Sequence, residues 1–168
     1  MPTTLKPGRY RIRYVPVGLQ PPFVGGLYAD SKEIGEPLTA EPLSPTTPPQ
    51  VWAVHAAENG KFTITSPGFK SKLAGIGPVL PGWDVASSAP NFPGGKVLLR
   101  VGYTEFKIEP VGQGDKLMYS IQVPTEVGIG YGFYLAVDDD HQLVSRPFWE
   151  PIRETRPHPH WQFIPADN

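Results

Sequence analysis

"VWAVHAAENGKFTI" (51–64) alternates apolar and polar positions, breaks at a polar turn carrying Gly60, and then resumes the alternation. Side chains two apart on a strand share a face, so Trp52 goes with Val54 and Phe62 with Ile64. The same unit returns in "EFKIEPVGQGDKLMYSI" (105–121): aromatic-x-x-apolar, a polar glycine turn, an alternating strand. "HWQFIPADN" (160–168) matches its first half, and "GRYRI" (8–12) matches its second half. Trp52, Phe106 and Trp161 are then equivalent, at spacings of 54 and 55 residues. Tyr10, Phe62 and Tyr119 form a second series, at spacings of 52 and 57, and a third of the 168-residue chain is 56. Two series that agree on one period are harder to obtain by chance than one.

Working outward, "RYRIRYV" (9–15) puts Tyr10, Ile12 and Tyr14 on one face, and "KVLLRV", "LMYSIQV" and "GFYLAV" read as further strands. No stretch keeps a helical period for more than two turns. The expected fold is all-β: a single β-trefoil over residues 1–168, with three pseudo-repeats of about four strands each. A barrel closed in this way removes the unpaired edges that an all-β chain must otherwise protect. Twenty-two prolines and 18 glycines make up 40 of the 168 residues, interleaved with aromatic and β-branched residues. That mixture punctuates short strands with turns and argues against long helices.

The net charge of -1, with scattered basic residues, gives no footprint for nucleic acid. The chain has no cysteine, which excludes a disulfide framework, a thiolate zinc site and a cysteine nucleophile. "MPTTLKPGRY" lacks the charged and apolar regions of a signal peptide, and no run of 18 apolar residues would span a membrane. The expectation is a cytoplasmic monomer without membrane association.

Enzyme signatures are missing: there is no G-x-S-x-G, no Walker loop and no H-E-x-x-H. "GIGYGFY" (128–134) lacks the dinucleotide pattern, so its glycines are read as easing a twisted strand. Neighbouring Asp residues of "DDDHQ" (138–142) would face opposite ways on a strand, so the stretch is read as a hairpin turn rather than a metal site. "HPH" (158–160) is stiffened by Pro159, and His55 has no Ser or Cys partner nearby in sequence. No enzyme, metal or cofactor is expected.

Binding remains, and attention moves to the loops. "PVGLQPPFVGG" (16–26) and "EPLSPTTPPQ" (41–50) are two long proline-rich connections in the first repeat. Prolines that merely end strands explain any one of these positions. Two such loops together, one ending in Gly25-Gly26, point to a recognition edge, because a stiff loop loses little entropy on binding.

"GGLYADSKEIGEPLTAEPLSP" (25–45), with the flanking "GRYRI", "W-x-V…G-x-F-T-I" and the closing "P-H-W-Q-F", resembles the mycocypins. These are fungal cysteine-protease inhibitors typified by clitocypin and macrocypin. The resemblance is dense over 8–69, thins through the middle and returns at 157–163. It implies a β-trefoil that blocks papain-like proteases, of the cathepsin L type, with two loops of its first repeat. The first loop's contacts would be Pro21, Pro22, Phe23, Val24, Gly25 and Gly26, with the glycine pair central. The second would contribute Leu43, Ser44, Pro45, Thr46, Thr47 and Pro48. A backbone without Cβ atoms can approach both walls of a narrow cleft and adopt conformations that other residues resist.

The resemblance also implies a second edge, where the family uses an Asn against legumain. Here that loop is "SPGFKSK" (66–72) and holds no Asn. Lys70 falls at or next to the matching position, which implies weak action on trypsin and none on legumain. Read without the family, Lys70 is an ordinary exposed lysine. Two other readings compete. One is a mushroom-type trypsin inhibitor acting through Lys70 or Arg100. The other is a trefoil lectin stacking sugars on an exposed Trp83 or Trp149, although the Q-x-W motif of ricin-type lectins is missing.

Overall fold

A computed structural model describes residues 4–16, 25–44, 50–67, 71–73, 77–86, 95–111, 118–124, 131–149 and 159–166. The first half of the chain forms β1 (Gly8–Val15), β2 (Tyr28–Asp30), β3 (Thr39–Glu41), β4 (Trp52–Ala56), β5 (Phe62–Thr65), β6 (Ser71–Leu73) and β7 (Gly77–Val79). The second half forms β8 (Gly82–Val85), β9 (Gly95–Arg100), β10 (Lys107–Pro110), β11 (Met118–Val123), β12 (Tyr131–Val137), β13 (Leu143–Trp149) and β14 (His160–Pro165). Twelve strands join one antiparallel sheet, while β6 and β7 form a separate ribbon. A short 3-10 turn lies at Glu58–Gly60, where Asn59 takes φ 57°.

Six elements close into a ring. β1 pairs with β4, and β4 with β5. Phe62 of β5 bridges Phe106, the residue before β10, through reciprocal backbone hydrogen bonds of 2.8 and 2.7 Å. β10 pairs with β11, β11 with β14, and β14 returns to β1. The two aromatic series of the sequence meet at three points of this ring. Tyr10 lies opposite Trp52, Phe62 opposite Phe106, and Tyr119 opposite Trp161.

Three hairpins, β2–β3, β8–β9 and β12–β13, pair with β1, β5 and β11 of this ring. They also hold one another. Leu38 N–H donates to Val97 O at 2.8 Å, Leu143 N–H donates to Leu38 O at 2.9 Å, and Val144 pairs with Lys96. Leu38, Val97 and Leu143 are fully buried where the hairpins meet.

The core is aromatic. Trp52, Trp83, Phe106 and Trp161 are all inaccessible to solvent, and the Trp83 ring meets the other three edge-on at 5.3–6.4 Å between centroids. Tilted aromatic contacts of this kind add to the gain from area buried. The indole N–H of Trp52 donates to Ala29 O at 2.9 Å, and that of Trp161 to Leu135 O at 3.0 Å. The expectation of an exposed Trp83 is therefore wrong: its ring is buried against Trp52, Phe106 and Trp161, out of reach of any sugar. Trp149 ends β13.

Candidate functional site

β1 alternates in a way that decides the site. Ile12 points into the core and is fully buried, with Tyr10 and Tyr14 partly buried against it. Arg11 and Arg13 lie on the opposite face, yet Arg13 is only 8% exposed. A guanidinium is buried only when its donors find acceptors and its plane finds cover. Arg13 has both. Its register partners are Tyr28 on β2 and Gln162 on β14. The guanidinium carbon stands 6.0 Å from the centre of the Tyr28 ring, and Nη1 donates to Gln162 Oε1 at 3.5 Å. Nη2 donates to the carbonyl of Gly25.

Gly25 and Gly26 emerge from that anchor. Both are exposed, with φ of 79° and 101°. An L-residue adopts such a backbone at a cost of roughly 1–2 kcal/mol, which glycine avoids. Among the described residues, no atom beyond its chain neighbours lies within 4 Å of where a Cβ on Gly25 would sit. The glycine is therefore set by its backbone conformation. Directly after the pair, Tyr14 N–H donates to Leu27 O at 2.8 Å and returns the chain to β1.

The second proline-rich segment leaves β3 and re-enters the fold at Gln50, a fully buried amide. Its Oε1 accepts from Ser44 N–H at 2.8 Å, and its Nε2 donates to Pro42 O at 2.8 Å and to Asp30 Oδ2 at 3.1 Å. Both N–H donors of this amide and one acceptor position of its oxygen are thereby used. Arg11 Nη1 adds a longer contact to Ser44 O at 3.4 Å. Leu43, half exposed at 49%, is one of the large apolar side chains left at the surface. Neighbouring guanidinium groups of β1 thus reach the ends of both segments, Arg13 at Gly25 and Arg11 at Ser44.

Of the residues singled out in the sequence, Gly25, Gly26, Leu43 and Ser44 are brought to this common base. Pro21, Pro22, Phe23, Val24, Pro45, Thr46, Thr47, Pro48 and Lys70 lie outside the described residues. Arg100 sits at the end of β9 with its charge 3.6 Å from Asp84, in an ion pair of partly exposed side chains. Asp138 caps the 138–142 turn, its Oδ1 accepting from the N–H groups of Asp140 and Gln142 at 2.9 Å each. His55 is exposed on β4 and contacts Thr65 Oγ1 at 3.0 Å. Among the described residues no three His, Asp or Glu side chains gather as metal ligands, and no helix is long and apolar enough to cross a membrane.

The model of one protein family, the peptidase inhibitor clitocypin, matches residues 8–163 of this chain. The chain belongs to the clitocypin family. Macrocypin-5a of Macrolepiota procera is 43% identical over 61 residues, which is 34% of this chain and 37% of the relative. The match thus spans little more than a third of that relative's length. The clitocypin family is one of peptidase inhibitors, not of enzymes.

Sequence reasoning missed Arg11, Arg13 and Gln50. The first two sit in a strand whose alternation draws the eye to its aromatic face, and Gln50 ends a proline-rich loop. A signal existed: a polar residue immediately before the buried "VWAV" strand.

Proposed function

We propose that this chain inhibits papain-like cysteine proteases, of the cathepsin L type, by laying the segments around Gly25-Gly26 and Leu43-Ser44 across the active-site cleft. The observation that carries the reading is the glycine pair: exposed, at positive φ, with the Gly25 carbonyl tied to a buried arginine. A cleft with its Cys and His on opposing walls admits a bare backbone more readily than a side chain. Blocking it without offering a normal scissile bond leaves the inhibitor uncut. Leu43 supplies apolar area beside the glycines. An interface of the usual protease–inhibitor size, about 1,600 Å², suffices for tight binding when the loops are held in advance.

The fold that presents these loops is inferred to be a β-trefoil. Three observations support it: the six-element ring, the three hairpins that meet at Leu38, Val97 and Leu143, and the threefold recurrence of facing aromatic pairs.

Papain assayed with a small fluorogenic substrate tests the function. Reversible loss of activity at about 1 μM inhibitor or below is expected, the range of a specific complex. Full papain activity at that concentration would rule the reading out.

A further inference from the structure

Both segments are held by side chains that never reach the surface of the loops. Gln50 joins three backbone or side-chain groups of the surrounding wall: Pro42 O, Ser44 N–H and the Asp30 carboxylate. The first two lie on the outgoing limb of the second segment, so Gln50 closes that segment at its neck. Asp30 ends β2, the strand that follows Gly25-Gly26, so the same amide links the bases of both segments. Arg13 holds the first segment by a backbone carbonyl and is itself fixed by Tyr28 and Gln162 on either side. On the segments themselves these ties grip main-chain atoms, Gly25 O, Pro42 O and Ser44 N–H, so they determine where the chain is and leave loop side chains free to vary.

We propose that Gln50 and Arg13 are positioning residues that hold the two loop necks at one separation, so that the loops are already arranged before a protease arrives. This rests on the inhibitory reading above, and it adds what makes the edge rigid. Burial matters here. A buried hydrogen bond is electrostatically stronger than one in water, and breaking either partner leaves an unsatisfied group.

The test compares the full-length parent with Gln50→Glu, Gln50→Met and Arg13→Lys, by backbone hydrogen exchange without protease and by papain inhibition. Gln50→Glu keeps the acceptor for Ser44 but cannot donate to Pro42 or Asp30. Gln50→Met keeps the volume and loses all three bonds. Arg13→Lys keeps the charge but loses the fork that spans Gly25 and Gln162. Faster exchange is expected around Ser44 in the Gln50 variants and around Gly25–Leu27 in Arg13→Lys. Protection in β4 and β14 should be that of the parent, which identifies a variant as folded. Papain inhibition should weaken about tenfold in each, as when the binding-competent fraction falls to about a tenth.

Parent-like exchange at the necks of a folded variant would overturn the proposal. So would loosened necks with undiminished inhibition. A parent that leaves papain untouched instead overturns the inhibitory reading. That failure is distinct, because the exchange experiment contains no protease and still decides whether the ties hold the necks.

Discussion

At the scale of the residue, Gly25 can serve the turn, the contact, or both, and substitution separates these roles. Its φ of 79° penalises any L-residue, while no described side chain or distant backbone crowds a Cβ there. Asn tolerates positive φ better than other L-residues, so Gly25→Asn tests the contact with little backbone strain. Gly25→Trp adds bulk and strain together. Gly25→Trp is expected to weaken papain binding by at least ~2 kcal/mol, the scale of a central interface residue. Gly25→Asn should weaken it by less, yet measurably, with the melting temperature close to the parent's. Parent-like affinity in a folded Gly25→Asn would mean that the glycine serves the turn alone. The glycine pair was legible in the sequence because its residue type carries a backbone meaning. Arg13 was not, because period-two alternation assigns a side chain to a face and says nothing about what covers that face. Here Tyr28, Gln162 and the Gly25 carbonyl cover it.

At the scale of the element, β1 and β5 precede the two stretches proposed to act on different proteases. Gly25-Gly26 lies between β1 and β2, whereas "SPGFKSK" follows β5, which is separated from β1 in the sheet by β4. Ser66 at its start is buried, and its N–H donates to Pro81 O at 2.9 Å, so the segment leaves from an anchored strand end. Two edges borne by different strands should act independently. Lys70→Ala is expected to inhibit papain like the parent, within about twofold, since distant sites combine additively to a few tenths of a kcal/mol. It should also lose any trypsin inhibition, because trypsin's acidic pocket takes Lys and not Ala. Lys70→Asn should gain some inhibition of the asparaginyl endopeptidase legumain, which the parent should not inhibit. Inhibition constants for all three proteases check this, and loss of papain inhibition in Lys70→Ala would contradict the two-edge arrangement. The strands themselves were readable from alternation. The ties between the loops were not, because Gln50, Asp30 and Pro42 are neighbours only once β2, β3 and β4 have assembled.

At the scale of the whole molecule, the aromatic series were legible because each strand of the ring repeats one large ring at one position. Trp83 belongs to neither series yet packs against Trp52, Phe106 and Trp161 of the first, which no periodicity within a strand could indicate. The way the ends of the chain are joined has a consequence for pH. β14 lies between β1 and β11, and the tyrosines of those two strands pack on its aromatic side chains. Tyr10 and Tyr119 meet Phe163 at 5.7 and 5.4 Å, and Tyr14 meets Trp161 at 5.0 Å. Burial raises all three phenols above their ordinary value of 10.0. Repulsion from Tyr10 lifts Tyr119 further, while a Val137 backbone hydrogen bond and the Arg146 charge draw Tyr14 part of the way back. A phenol whose folded pKa is raised favours the fold only while it stays neutral. Its contribution is therefore complete below the unfolded value and is lost as pH rises through the folded one. Stability against urea should thus stay level with respect to these groups from neutral pH to about 9, then fall above about 10, where free tyrosine ionises. Lysines also titrate in that range, so the discriminating comparison is with Tyr14→Phe, in which one raised phenol is gone. Its neutral-pH stability should be slightly lower, through loss of the Val137 hydrogen bond, but its decline above pH 10 should be shallower than the parent's. Equal slopes in the two proteins would mean that the joint between the chain ends does not sense alkaline pH through Tyr14.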